Sequence, residues 1–151
     1  MTRMHNARIG KMKGLIMSDV KVLEEQVGCN EAASEAQIKI CNLKLKQNNL
    51  PELPTEYAAM LKIHNGFSNE DAKIFGAEIK DNNWYKDIAG FNIGYFHGNQ
   101  SDWLILGESD FLLFIYDSSQ KKYFITDRDD LEEEYSETDF MTALYYLLRI
   151  E

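Results

Sequence analysis

The sequence predicts an α+β fold, a central antiparallel meander flanked by N-terminal helices and a C-terminal helix. Two observations lead to this class. Apolar residues recur at helical spacing near both ends of the chain, and three apolar runs lie close together between residues 103 and 126. The links between these runs are at most six residues long. Because a parallel crossover needs a dozen residues or more, the runs must pair as antiparallel strands.

The first half of the chain predicts three helices. Val20, Leu23 and Val27 share one helical face, which Ser18 is placed to cap and Gly28 to end. A second helix stops at two asparagines and two prolines, and its predicted buried positions are Ala33, Ile38, Cys41 and Leu45.

The third helix is predicted from Pro54 to Asn65. Proline fits a first helical turn because its missing N–H is not needed there, and Asn65-Gly66 can end a helix in the left-handed conformation. One face would carry Tyr57, Met60, Leu61 and His64.

Strand patterns begin after Phe67, with a short strand over residues 73–76. Trp84, Ile88, Phe91 and Tyr95 then follow at helical spacing. Gly90 and Gly94 would each cost such a helix about 1 kcal/mol, so a broken helix or an ordered loop is expected there.

The meander comprises residues 103–106, 111–116 and 123–126, with residues 117–120 as a turn and 111–116 as its central strand. The terminal helix is expected from about Glu137, with Ser136 and Asp139 in the spacing of a capping box. Its predicted apolar face is Phe140, Ala143, Leu144, Leu147 and Leu148.

The length of 151 residues fits one domain, predicted over residues 18–151. Residues 1–17 carry four basic side chains without apolar periodicity and are interpreted as a tail. Translation starting at Met17 would explain this segment. A nucleic-acid-binding arm is the alternative, which the lack of interleaved aromatic residues disfavours.

Several classes of function lack a signal. Cys29 and Cys41 have neither the spacing of a zinc site nor that of a disulfide framework, so no metal, no cofactor and a reducing compartment are expected. The longest apolar run, residues 111–116, is far shorter than the roughly 20 residues that span a bilayer. A cytoplasmic protein that binds no membrane is therefore predicted.

The charge is unevenly distributed. The net charge is −9; residues 1–50 hold eight basic and five acidic side chains, whereas residues 51–151 hold eight and twenty. Such an acidic body repels nucleic acid and speeds encounter with a basic protein partner. Simple solubility is the alternative explanation.

One ordered set of residues carries a family resemblance. Its elements are Leu53, Pro54, Tyr57, Leu61, Asn65, Gly66 and Phe67, followed by the segments 74–76 and 104–107. This order resembles the signature of the SUKH superfamily, the Smi/Knr-type proteins and their YrhA-like bacterial relatives. The resemblance runs from about residue 18 to the C-terminus and implies the same α+β architecture.

The resemblance also implies a function. Proteins of this superfamily are non-catalytic, and many bacterial ones are immunity proteins that neutralise a toxin domain. Fungal relatives regulate cell-wall assembly. We therefore expect an immunity protein that covers the active cleft of a basic toxin, such as a nuclease, with a cytosolic scaffold or regulator as the alternative.

Catalytic patterns are weak by comparison. Residues 107–110 lack the second glycine of a nucleophile elbow, and His64 is expected to pack or cap. His97, predicted in a loop, is the better candidate for a hydrolase base. Asp127, Asp129 and Asp130 invite a calcium-loop interpretation, which fails at Leu131 and at the missing glycine. No enzyme activity is predicted.

The acidic segment from residue 127 to residue 139 is the predicted partner-binding site, as an exposed loop between the last strand and the terminal helix. Eight carboxylates and one arginine lie in it. Aromatic anchors would supply most of the binding energy. The candidates are Asp127, Asp129, Asp130, Glu132, Glu133 and Glu134, with Trp84 and Tyr85 as anchors. Trp103 is more typical of a core residue, and one of Tyr145 and Tyr146 must face solvent.

Overall fold

The computed structural model describes residues 20–137 and 139–149, so the predicted tail, residues 1–17, lies outside the described residues. Seven strands form one antiparallel sheet in chain order, with helices before and after it. The predicted α+β meander is confirmed. The strands are β1 (Gly28–Cys29), β2 (Phe67–Ser68), β3 (Ala72–Ile74), β4 (Trp103–Ser109), β5 (Leu112–Asp117), β6 (Lys122–Asp127) and β7 (Glu133–Glu137).

Helix α1 covers residues 20–26 of the described chain, and helix α2 spans Glu35–Gln47. Ser34 caps α2 and forms a capping box with Gln37, while Asn48 ends the helix. The predicted core positions are confirmed: Ala33, Ile38, Cys41 and Leu45 are all buried, although Ala33 precedes the helix. The two cysteines are free thiols.

Helix α3 (Thr55–Leu61) is shorter than predicted, because Asn65 has another role than ending the helix. The buried Asn65 side chain accepts a hydrogen bond from the backbone N of Ala77 (2.6 Å) and donates one to its carbonyl (2.9 Å). Gly66 then takes a φ of 109°, which favours glycine. Asn65-Gly66 therefore attaches the loop to the segment after β3, and His64 lies beyond the helix.

A continuous helix α4 (Ile88–Phe96) replaces the expected broken helix, and Trp84 lies before it. Asp87 caps this helix by accepting from the backbone N of Gly90. The Asn92 side chain accepts from the N of Ile105 (2.7 Å) and donates to its carbonyl (2.8 Å). The Asn92 side chain thus makes the two hydrogen bonds to β4 that a neighbouring strand would make. These bonds offset the free-energy cost of placing two glycines in a helix.

The three predicted strands are confirmed as β4, β5 and β6, with β5 in the interior of the sheet. The predicted start of β5 is wrong, because Phe111 lies in the turn before it. A further strand, β7, pairs with β6 where a loop was expected.

Helix α5 (Phe140–Leu148) covers one face of this sheet, where Phe140 lies against Tyr57, Phe114 and Tyr123. Its cap is Asp139, which accepts from the N of Thr142; Ser136 belongs to β7, so the predicted capping box is wrong. The predicted apolar face is confirmed, since Phe140, Ala143, Leu144, Leu147 and Leu148 are buried.

Candidate functional site

Three hairpin turns meet at one end of the sheet, because alternate turns of a meander lie at the same end. They connect β2 to β3, β4 to β5 and β6 to β7, and we call residues 69–71, 109–111 and 127–132 the acidic turn end. Arg128 joins the last two turns: its backbone N donates to the carbonyl of Phe111, and its guanidinium donates to the carbonyl of Ser109, both at 2.8 Å.

The acidic turn end holds seven carboxylates and one basic residue, Arg128. Two of these carboxylates shape the β6–β7 turn. Asp127 accepts from the backbone N of Asp129 and Asp130, which lowers the pKa of Asp127, and Asp130 accepts from the N of Glu132. The other five are exposed and have no polar partner among the described residues: Glu70, Asp71, Asp110, Asp129 and Glu132.

An ion triad lies beneath these carboxylates. Glu108, whose side chain is only 8% exposed, contacts Lys86 on one oxygen and Arg128 on the other, at 2.8 Å for Arg128. Burial disfavours the charged form of Glu108, but the two cations outweigh burial and lower its pKa. The charges of Glu108 and Lys86 cancel, so the acidic turn end remains strongly negative because its seven carboxylates outnumber Arg128.

A polar cleft of about 360 Å³ opens between the turns. Its lining includes the triad together with Glu70, Asp71 and Asp110. Both charge signs occur in its walls, and the acidic side chains lie at its rim because they are the exposed ones. Lys73 also lines the cleft, so its negative character comes from the exposed carboxylates of the rim.

Phe111 is a candidate contact residue that the sequence does not single out. The sequence predicts it in a central strand, but 74% of it is exposed, beside Asp110 in the β4–β5 turn. The turn residues Ser109-Asp110 immediately before it were the available signal. An exposed phenylalanine among unpaired carboxylates provides the apolar contact area that an acidic surface alone lacks.

The predicted anchors differ in their surroundings. Trp84 is 63% exposed in the loop before α4, whereas Tyr85 is half-buried beside Gly28 and Gly66. Lys86, the next residue, reaches the triad, so this loop borders the cleft. Trp103 is half-buried against the core, and Tyr146 is the exposed member of the tyrosine pair, as expected.

The predicted acidic residues are divided between two elements. Asp127, Asp129, Asp130 and Glu132 lie in the β6–β7 turn, where Asp127 is half-buried and the others are exposed. Glu133 and Glu134 are exposed on β7, which has β6 on one side and forms the edge of the sheet. The expectation of one exposed loop is therefore wrong for these two residues, which belong to a strand.

Two histidines, His64 and His97, lie within the described residues. His64 contacts the carbonyl of Asn30 (2.8 Å) and the carboxylate of Glu24 (2.6 Å). His97 ends α4 in the left-handed conformation and is exposed, with no acidic partner in the described part of the chain. In residues 20–137 and 139–149, no three His, Cys, Asp or Glu side chains are placed together so that they could hold a metal ion, and none of the helices is long and apolar enough to cross a bilayer.

No protein-family model matches the sequence, and a search of the curated proteins finds no match.

Proposed function

We propose that the protein is a non-catalytic binding module of the immunity type, which neutralises a cognate toxin by covering a basic cleft with the acidic turn end. One observation carries the proposal: the exposed Phe111 lies among carboxylates that have no partner in the described chain. Complementary charge gives fast encounter and partner discrimination, and a desolvated aromatic ring supplies binding energy.

The construction of the three turns supports this assignment. Asn69 accepts from the backbone N of Asp71 and Ala72, and Ser109 accepts from the N of Leu112. Asp127 holds the third turn in the same way. A surface fixed by its own hydrogen bonds loses little conformational entropy on binding, so more of the contact energy appears as affinity.

The binding test compares three forms of the chain. One has the five unpaired carboxylates neutralised (E70Q, D71N, D110N, D129N and E132Q). A control has three exposed carboxylates outside the turns neutralised (E25Q, E31Q and D102N). Each form is used at low and at high salt to capture partners from a lysate of the native organism, and is tested against any toxin domain that is encoded beside the gene.

We expect the wild type and the control to retain a basic protein at low salt, and the turn variant to lose it. The wild type and the control should also protect cells that co-express the captured toxin, and the turn variant should not. Equal capture by all three forms would remove the acidic turn end from the proposal. Capture of cell-wall-assembly proteins alone would replace the immunity assignment with a scaffold or regulator.

A further inference from the structure

A second concave feature follows strand β6 on the sheet face opposite helix α5. Lys122, Phe124 and Thr126 alternate along this face, whereas Tyr123 and Ile125 point to the other face, where Tyr123 meets Phe140. The groove has a volume of about 410 Å³, and its other walls include Trp103 of β4, Leu131 of the turn and Glu133 of β7. We call it the β6 groove.

The floor of the β6 groove combines apolar area with an unsatisfied polar group. Phe124 and Trp103 are half-buried, and the indole N–H of Trp103 donates to Asp117 (3.2 Å), which fixes the orientation of the ring. Thr126 is only 3% exposed, and its hydroxyl has no hydrogen-bond partner in the described chain. A buried hydroxyl without a partner is costly, and a bound peptide group would supply that partner.

The two ends of the groove differ in charge, because Asp117 lies opposite Lys122 across the strands and offsets its charge. Lys122 lies at one end, and Glu133, which pairs with Thr126 across the strands, lies at the other. Four residues of β6 separate these ends, a length of about 13 Å. Because Glu133 directly follows Glu132, the negative end opens at the acidic turn end.

We propose that the β6 groove binds an extended segment of the protein partner, with apolar side chains on Phe124 and Trp103 and a basic residue at Glu133. This inference rests on the proposed function, because the basic residue continues into the acidic turn end. A trough of about 410 Å³ along one strand suits three or four residues of extended chain.

The test uses two blocked peptides as probes and the full chain carrying W84F, so that Trp103 is its one tryptophan. One peptide has three leucines followed by three arginines, and the other has three glycines followed by three arginines. Amide and indole chemical shifts are followed by NMR during titration. We expect the leucine peptide to shift the Trp103 indole and Thr126, and the glycine peptide to shift residues of the acidic turn end alone.

Two substitutions locate the contact. F124E should weaken the leucine peptide at least tenfold and leave the glycine peptide unchanged. L131N is the second variant in case F124E fails to fold, because Leu131 has a φ of 60° that asparagine tolerates well. It should weaken the leucine peptide about threefold.

The possible failures are distinguishable. If both peptides shift only resonances of the acidic turn end, the groove inference is overturned and the proposed function stands. If neither peptide shifts any resonance at millimolar concentration, both are overturned.

Discussion

Short polar side chains serve opposite purposes in two regions of this molecule. At the junction of helices and sheet, Asn65 and Asn92 are buried, and each bonds both the N–H and the carbonyl of one backbone residue. At the acidic turn end, five carboxylates are exposed and have no partner within the described residues. In the first region the side-chain amides stabilise the fold, whereas in the second the carboxylates remain available to contact another molecule.

The largest loss of stability among the tests of this difference is expected for N65A. Removing the amide leaves the N–H and carbonyl of Ala77 buried without partners, which should lower the free energy of unfolding by about 3 kcal/mol. Urea unfolding followed by circular dichroism measures the loss. The matched control is N99A at an exposed position, which should change stability by less than about 0.5 kcal/mol. Equal effects would show that burial of the amide does not distinguish the two regions.

The junction also explains how far the sequence could predict the fold. Periodicity located the cores of α2, the β4–β6 meander and α5, because apolar burial dictates those patterns. The continuous helix α4 could not be predicted, since Asn92 bonds a strand thirteen residues away. Strand β7 is not predicted for a similar reason: Glu133 and Glu134 face solvent at the sheet edge, and the pairing with β6 leaves no apolar alternation.

The sequence predicts the negative charge of the candidate site but not its shape. The carboxylates after β6 stand out in the sequence, but those of the other two turns are brought to them by the topology of the sheet. Phe111 begins an apolar run, and only the position of the β4–β5 turn separates it from the buried residues that follow.

A smaller loss is expected at the boundary of the two regions, where Glu108 forms ion pairs with Lys86 and Arg128. E108Q leaves these cations without a counter-charge and should cost about 2 kcal/mol at pH 7, since both are partly exposed. D110N, which alters a neighbouring unpaired carboxylate, is the control.

The dependence of this loss on pH follows from the lowered pKa of Glu108. A carboxylate with a lowered pKa in the folded state stabilises the protein above its ordinary pKa of 4.5, and this contribution is lost as the pH falls through the folded-state value. Urea midpoints of the wild type and E108Q should therefore converge towards pH 3. A gap that persists there would show that Glu108 acts through packing alone.

A gain is expected for T126V, which removes the unpaired hydroxyl of the β6 groove. Valine keeps the shape of threonine, so the free energy of unfolding should rise by about 1 kcal/mol in thermal or urea unfolding. S136A on the neighbouring strand, at a half-buried position, serves as the control. A loss of stability in T126V would show that the hydroxyl is satisfied in solution.

The smallest effect on folding should come from F111A, which also separates the two regions most sharply. Because 74% of Phe111 is exposed, the substitution should change the free energy of unfolding by less than about 0.5 kcal/mol. Affinity for the captured partner should nevertheless fall at least tenfold, through faster dissociation, as expected for an aromatic anchor. F114A provides the contrast, since its buried ring should cost about 3 to 5 kcal/mol of stability. Unchanged dissociation in F111A would leave the acidic turn end as a steering surface without an anchor.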